Sequence, residues 1–185
     1  MNKTSHKLTA EVRSILGRKV RQLRRQGLIP STVYGFGIEP MSIQLIEKEI
    51  DKVFEEAGQS TLIDLQLDGK SMPILFKNPQ YHPVTSDLIH VDCYKVNLKE
   101  KITAVVPIEF VGESMAVKLG NVLVEALNEV EVEALPTDLP EKIIVDIGKL
   151  ETLESQITVA DLEVDKSKVT IKTDAAQVVV KVEEP

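Results

Sequence analysis

The sequence predicts a mainly β protein with a few helices, α+β in class, built as two parts of which the second is all-β. Three observations predict it. Aromatic residues are 4% of the 185 and Trp is absent, so the core must come from Val, Ile and Leu, which favour strands. Helical periodicity occurs in two short segments, both before residue 97. From Asn97 onward, short Val/Ile runs are punctuated by Pro107, Gly112, Gly120, Pro136, Pro140 and Gly148, the rhythm of an all-β module. The change of character sets a boundary near residues 96–99 and two domains, 1–96 and 97–185.

In order, KLTAEVR alternates Leu8, Ala10 and Val12 against Lys7, Thr9, Glu11 and Arg13, a half-buried strand with Arg13 turned to solvent or a ligand. Leu16, Val20 and Leu23 then fall at helical spacing, and Gly27 is placed to end the helix as a left-handed cap. LIPSTVYGFG is extended, entered through Pro30 and left through Gly35 and Gly37. EKEIDKVFEEAG is a second helix, with Ile50, Val53, Phe54 and Ala57 on one face and Gly58 as its stop. TLIDLQL, the Asp68–Gly69 turn and SMPILFK make a β-hairpin, and a strand runs from about Leu88 to Val96. Beyond the boundary, ITAVVPIEFV, VEVEAL, KIIVDI, KVTIK and QVVVKVE are strands.

The formal net charge of -7 conceals a division. Residues 1–31 hold eight Lys and Arg against Glu11 alone, +7, which leaves -14 for the rest. Such asymmetry points to a polyanion partner for the basic part only. No apolar run suits a signal peptide or a membrane span, and the single cysteine, Cys93, excludes an intrachain disulfide, which suits a reducing, cytoplasmic compartment.

The charge concentrates in GRKVRQLRRQG. On the helical wheel Arg18, Arg21 and Arg25 form a stripe opposite the apolar face, flanked by Lys19 and Arg24. One reading is a solvated face. The other is a polyanion site, and sign purity favours it: solvated helices interleave Glu with Lys, whereas like charges at three- and four-residue spacing cost a few tenths of a kcal/mol per pair. Arg also grips phosphate bidentately where Lys acts as a point charge. Membrane anchoring is the weaker rival, since the apolar face lacks Trp, Phe or a broad Leu stripe.

A second constellation is LIHVDCYKV. Alternation sends Ile89, Val91 and Cys93 to one face, the core, and His90, Asp92 and Tyr94 to the other, where they suit hydrogen bonding to bases and ribose with stacking available. The alternative is an exposed polar face with no role. His82, His90 and Cys93 match no zinc spacing, and the same alternation separates Cys93 from His90 as nucleophile and base. YGFG lacks the strand-to-helix context of a phosphate loop. Nothing here argues for an enzyme, a metal or a cofactor.

GRKVRQLRRQGLIPSTVYGFG, QYHPVTSDLIHVDCYKV and VPIEFVGESMAVKLGNVLVEALNEVEVEALPTDLPEKIIVDI, in this order and spacing, resemble the bacterial large-subunit ribosomal protein family that binds 5S rRNA, the L-twenty-five family, in its two-domain general stress protein form called CTC. The resemblance covers nearly the whole chain. It implies an N-terminal β-barrel-like RNA-binding domain with flanking helices, related in fold to an anticodon-binding domain of glutaminyl-tRNA synthetase, that docks on the loop E region of 5S rRNA. Carried onto matching positions, the family's RNA contacts are Arg13, Lys19, Arg24, Arg25, Tyr34, His90 and Asp92, with Arg18 and Arg21 as further candidates from the helix. Two positions depart: Cys93 stands where the family usually has Phe, and Asn121 where it has a second Gly. The expected protein is a structural component of the cytoplasmic ribosome, a monomer away from it. Its acidic second domain, with 8 cations and 18 acids over residues 100–185, a net charge of -10, would meet other large-subunit components. A tRNA-binding module and a stress-related protein-interaction module are the alternatives.

Overall fold

The chain divides after Glu100 into two units, Met1–Glu100 and Lys101–Pro185. The computed structural model describes residues 6–15, 17–115, 120–150, 155–165 and 167–183. Leu16 and the side chain of Arg18, both assigned above to the basic helix, lie outside the described residues.

The first unit is a closed six-stranded barrel. Its strands are β1 (His6–Val12), β2 (Leu28–Gly35), β3 (Ile38–Ile46), β4 (Ile63–Leu67), β5 (Lys70–Tyr81) and β6 (Leu88–Lys95), in the order β1-β3-β2-β6-β5-β4. Antiparallel pairing dominates, but two contacts are parallel: β1 with β4, which closes the barrel, and β2 with β6. Closure gives each strand a neighbour on both sides, which leaves little edge for another chain to pair with. Period-2 alternation turns Leu8, Ala10, Ile29, Val33, Ile43, Leu45, Ile63, Leu65, Ile74, Phe76, Val91 and Cys93 into one buried core. Helix α2 (Glu47–Ala57) adds Ile50, Val53 and Ala57 to that core, with Phe54 packed against it. Asp68 and Gly69, at φ 48° and 76°, form the primed hairpin turn that the right-handed strand twist favours.

Three expectations need correction. Val12 was expected to share the buried side of β1 but is 52% exposed. The pairing with β4 ends at Ala10, so beyond it β1 is held on one edge, by β3 alone. Strand β3 was not anticipated, because Glu39 and Pro40 interrupt its apolar alternation; Pro40 is tolerated near the end of the β2/β3 hairpin, where the register slips between Val33 and Gly35. The basic helix is also shorter than its apolar spacing suggests. A 3-10 turn at Gly17–Lys19 leads into the six residues of α1 (Val20–Arg25), and only Leu23 is buried in it.

The second unit holds two sheets. Strands β7 (Ile102–Val111), β9 (Glu129–Ala134), β10 (Ile143–Asp146) and β12 (Val169–Ile171) lie in the order β10-β7-β9-β12; β8 (Val122–Glu125), β11 (Gln156–Thr158) and β13 (Val178–Glu183) lie as β11-β13-β8. Val106, Val130, Val132, Ala134, Val179 and Val180 are at most 1% exposed. The runs read as strands are strands; β8 and β11, four and three residues long, were too short to stand out.

Candidate nucleic-acid interface

The outer wall of the barrel at β2, β6 and β5 carries the polar face. Because Ile29, Ser31 and Val33 of β2 and Val91 and Cys93 of β6 are buried, the intervening Thr32, Tyr34, His90, Asp92 and Tyr94 face outward. Strand register then sets the rows: Thr32 and Lys77 flank Asp92, Tyr34 sits beside Tyr94, and Gln80 lies opposite His90.

Asp92 is the hub. Asn78 Nδ2 donates to its Oδ2 at 3.0 Å, and His90 Nδ1 lies 3.7 Å from its Oδ1. Burial and the nearby Asp92 carboxylate hold the Tyr34 phenol above its ordinary pKa, so it stays protonated as a donor. The Tyr34 and Tyr94 rings meet edge-on, centroids 5.5 Å apart at 64°, and Lys77 Nζ stands 4.9 Å from the Tyr94 centroid, within cation–π range. Burial, then the Arg13 and Arg24 guanidinium groups, lower the His90 pKa against the opposing pull of Asp92. The imidazole is therefore neutral at pH 7 and offers one donor and one acceptor.

Arg13 follows the end of β1, its N–H bonded to Ser42 O at 3.0 Å. Its Nε and the His90 Nδ1 are buried without a hydrogen-bond partner among the described residues, which is uncommon for buried polar atoms. Arg24 differs from its helical neighbours: Nε and Nη2 both donate to the carbonyl of Ile89, at 3.1 and 2.9 Å. A six-residue helix is marginal by itself. Leu23 beneath it, this fork onto β6 and the Gly27 N–H to Arg24 O bond hold it against the barrel. Lys19, Arg21 and Arg25 are exposed and, among the described residues, their side chains make no ion pair or hydrogen bond.

Gly35 lets β2 come close to β6 beside the tyrosine pair. Its φ is 131°, and a Cβ there would fall 2.4 Å from Lys95 O and 2.9 Å from Lys95 N. The Phe36 N–H bonds that same Lys95 carbonyl at 3.0 Å.

Of the residues expected from the sequence, Arg13, Arg24, Tyr34, His90 and Asp92 come together. Lys19, Arg21 and Arg25 stand on the adjoining turn and helix, outside the hydrogen-bonded cluster. Sequence reasoning missed Lys77 and Asn78, and it put Tyr94 on the polar face without counting it as a site residue. The available signal was alternation in SMPILFK, which turns Lys77 away from the core once Phe76 points inward. Cys93 is fully buried, and burial pushes its thiol pKa up, so it is packing rather than chemistry. Among the described residues no group of three or more His, Cys, Asp or Glu could hold a metal ion, and no helix is long and apolar enough to cross a membrane.

Residues 8–93 match the family described as Ribosomal L25p, and residues 101–185 match the one described as Ribosomal protein TL5, C-terminal domain. The large ribosomal subunit protein bL25 of Roseiflexus castenholzii is 39% identical over 175 residues, 94% of this chain and 80% of its own length. Its counterpart in Carboxydothermus hydrogenoformans is 41% identical over 158 residues, 85% and 79% of the two chains. That of Enterococcus faecalis is 37% identical over 180 residues, 97% and 89%.

Proposed function

The chain belongs to the family of the large ribosomal subunit protein bL25, a ribosomal structural component and not an enzyme, and we propose that its first unit binds 5S rRNA at the loop E region. The observation that carries this is convergence. Arg13, Arg24, Tyr34, His90 and Asp92 come from four separate segments of chain onto one outer face, beside three exposed cations that have no partner among the described residues.

The face divides the work. Lys19, Arg21 and Arg25, joined by Arg13, lie along phosphates and supply affinity, while Tyr34, His90 and Asp92 meet base edges and ribose in a widened minor groove and supply selectivity. Arg13 Nε and His90 Nδ1 are the groups most in need of an outside partner. Lys77, Asn78 and Tyr94 join this set: Tyr94 offers a ring for stacking, and Asn78 turns Asp92 so that its remaining lone pairs can accept from a ribose hydroxyl or base amine. A carboxylate so near RNA phosphates is tolerable only when it accepts such a bond. Arg24 has a second role, seating α1 through its two bonds to the Ile89 carbonyl. On this proposal the protein is a cytoplasmic monomer until it joins the large subunit.

The test is filter binding of the full chain to 5S rRNA, an unrelated RNA hairpin and tRNA. Lys19→Ala should weaken all three alike, whereas Asp92→Ala or His90→Ala should narrow the margin by which 5S rRNA exceeds the hairpin. Equal losses on every RNA from all three substitutions, or tRNA displacing 5S rRNA at equal concentration, would contradict the proposal.

A further inference from the structure

The second unit contains a cleft of about 900 Å³, lined by none of the residues of the candidate nucleic-acid interface. It runs between β10 and β11, each the outermost strand of its own sheet. All four consecutive residues of β10, Ile143–Asp146, line it, as do Gln156 and Ile157 of β11. A sheet face would contribute alternate residues; an uninterrupted run means that the strand lies edge-on to the cleft. Among the described residues β10 pairs with β7 alone, and no other backbone group there bonds its outward N–H and C=O groups. Natural edges are usually blunted by Pro, by charge or by a bulge. This one reads Ile-Ile-Val-Asp, holds an even register with β7 and leaves Ile144 54% exposed.

Charge selects the occupant. Five carboxylates line the cleft, Asp138, Asp146, Asp161, Glu163 and Asp165, against Lys142 and Lys168. Lys142 is drawn to Glu109 outside the lining, at 2.5 Å, and Lys168 pairs with Asp138 of the lining at 3.8 Å, so acid still exceeds base along the cleft. Residues 100–185 carry a net charge of -10, which repels nucleic acid and acidic peptides alike. We propose that this cleft receives an extended, lysine- or arginine-bearing segment of another protein, which adds to β10 as a further strand. Main-chain hydrogen bonds to Ile143–Asp146 would supply affinity, alternate apolar side chains would cover Ile144 and Ile157, and the cations between them would meet the acidic rim, the division of roles usual in strand addition.

The probe is a short, end-blocked, fluorescent peptide alternating Lys and Val, titrated into the full chain by anisotropy. Its control alternates Lys and Pro, with the same charge but no N–H to donate at the proline positions. The Lys/Val peptide should bind at least about tenfold more tightly than the control and should slow amide exchange within Ile143–Asp146. Ile144→Lys, at an exposed position, should weaken binding by about tenfold while leaving the melting temperature in place, because an edge lysine opposes strand addition. Equal affinity for the two peptides would mean diffuse attraction and overturn the proposal, as would protection confined to other segments or no binding at low salt.

Discussion

The cations of the first unit make a quantitative prediction about salt. Arg24 has two of its donors fixed on Ile89 O. Among the described residues Lys19, Arg21 and Arg25 are unengaged, and Arg13 presents a buried Nε with no hydrogen-bond partner. If these four each neutralise one phosphate, log K should fall against log salt with a slope of roughly -2.8 to -3.6, at about 0.7–0.9 per contact. Between about 50 and 200 mM salt, affinity for 5S rRNA should therefore drop by about 100-fold. Arg25→Gln should flatten the slope by about one contact, roughly 0.7–0.9. Arg24→Gln should act through structure as well, raising amide exchange in Val20–Arg25 of the free protein, which Arg25→Gln should leave unchanged. Filter binding across a salt series and exchange on the unbound variants measure both. A wild-type slope shallower than about -1, or identical exchange in the two variants, would refute the division between phosphate-gripping and helix-seating arginines.

Three further outcomes follow from the geometry. Gly35→Ala meets both an unfavourable φ and a backbone clash with Lys95; it should cost about 3 kcal/mol, lowering the melting temperature of the first unit by roughly 10–25 °C in calorimetry, and a shift of only a degree or two would show that β2 and β6 can part without penalty. The depressed pKa of His90 means that the unfolded chain takes up its proton first as pH falls, so stability should decline below about pH 6.5 and continue to do so until the folded imidazole also protonates; His90→Gln should flatten that part of the stability–pH profile, and an unchanged profile would remove the effect. Cys93, buried with a raised thiol pKa, should resist a thiol-reactive dye in the native protein and react fully in denaturant, whereas fast native labelling would place it outside the core.

The parts legible in the sequence were those decided within a few residues. Alternation in LIHVDCYKV separated Val91 and Cys93 from His90, Asp92 and Tyr94, and the Asp68–Gly69 pair marked its hairpin. The parts that were not legible depend on partners distant in the chain. Lys77 and Asn78 reach Asp92 only through the β5/β6 register, which shifts between Lys77 and Gln80 and so cannot be counted from either strand alone. The Arg24 bond to Ile89 O joins residues 65 apart, and the helical wheel, which sets Arg24 at the flank of the Arg25 stripe, holds no sign of that partner. Val12 followed the local rule for burial and broke it because pairing with β4 had already ended. Pro40 and Glu39 hid β3 by the usual, and here misleading, rule that proline marks the end of a strand.

The parallel contact between β2 and β6 has a consequence for the order of events during synthesis. Tyr34 is made early and Tyr94 late, and their meeting requires everything between them to have emerged from the ribosome. A nascent chain that still lacks β6 carries the cationic segment without the Ile89 carbonyl that seats Arg24, and without Asp92 and His90, the groups to which the proposed function assigns discrimination between RNAs. On the proposed function, selectivity would be acquired only once the last wall of the barrel is laid.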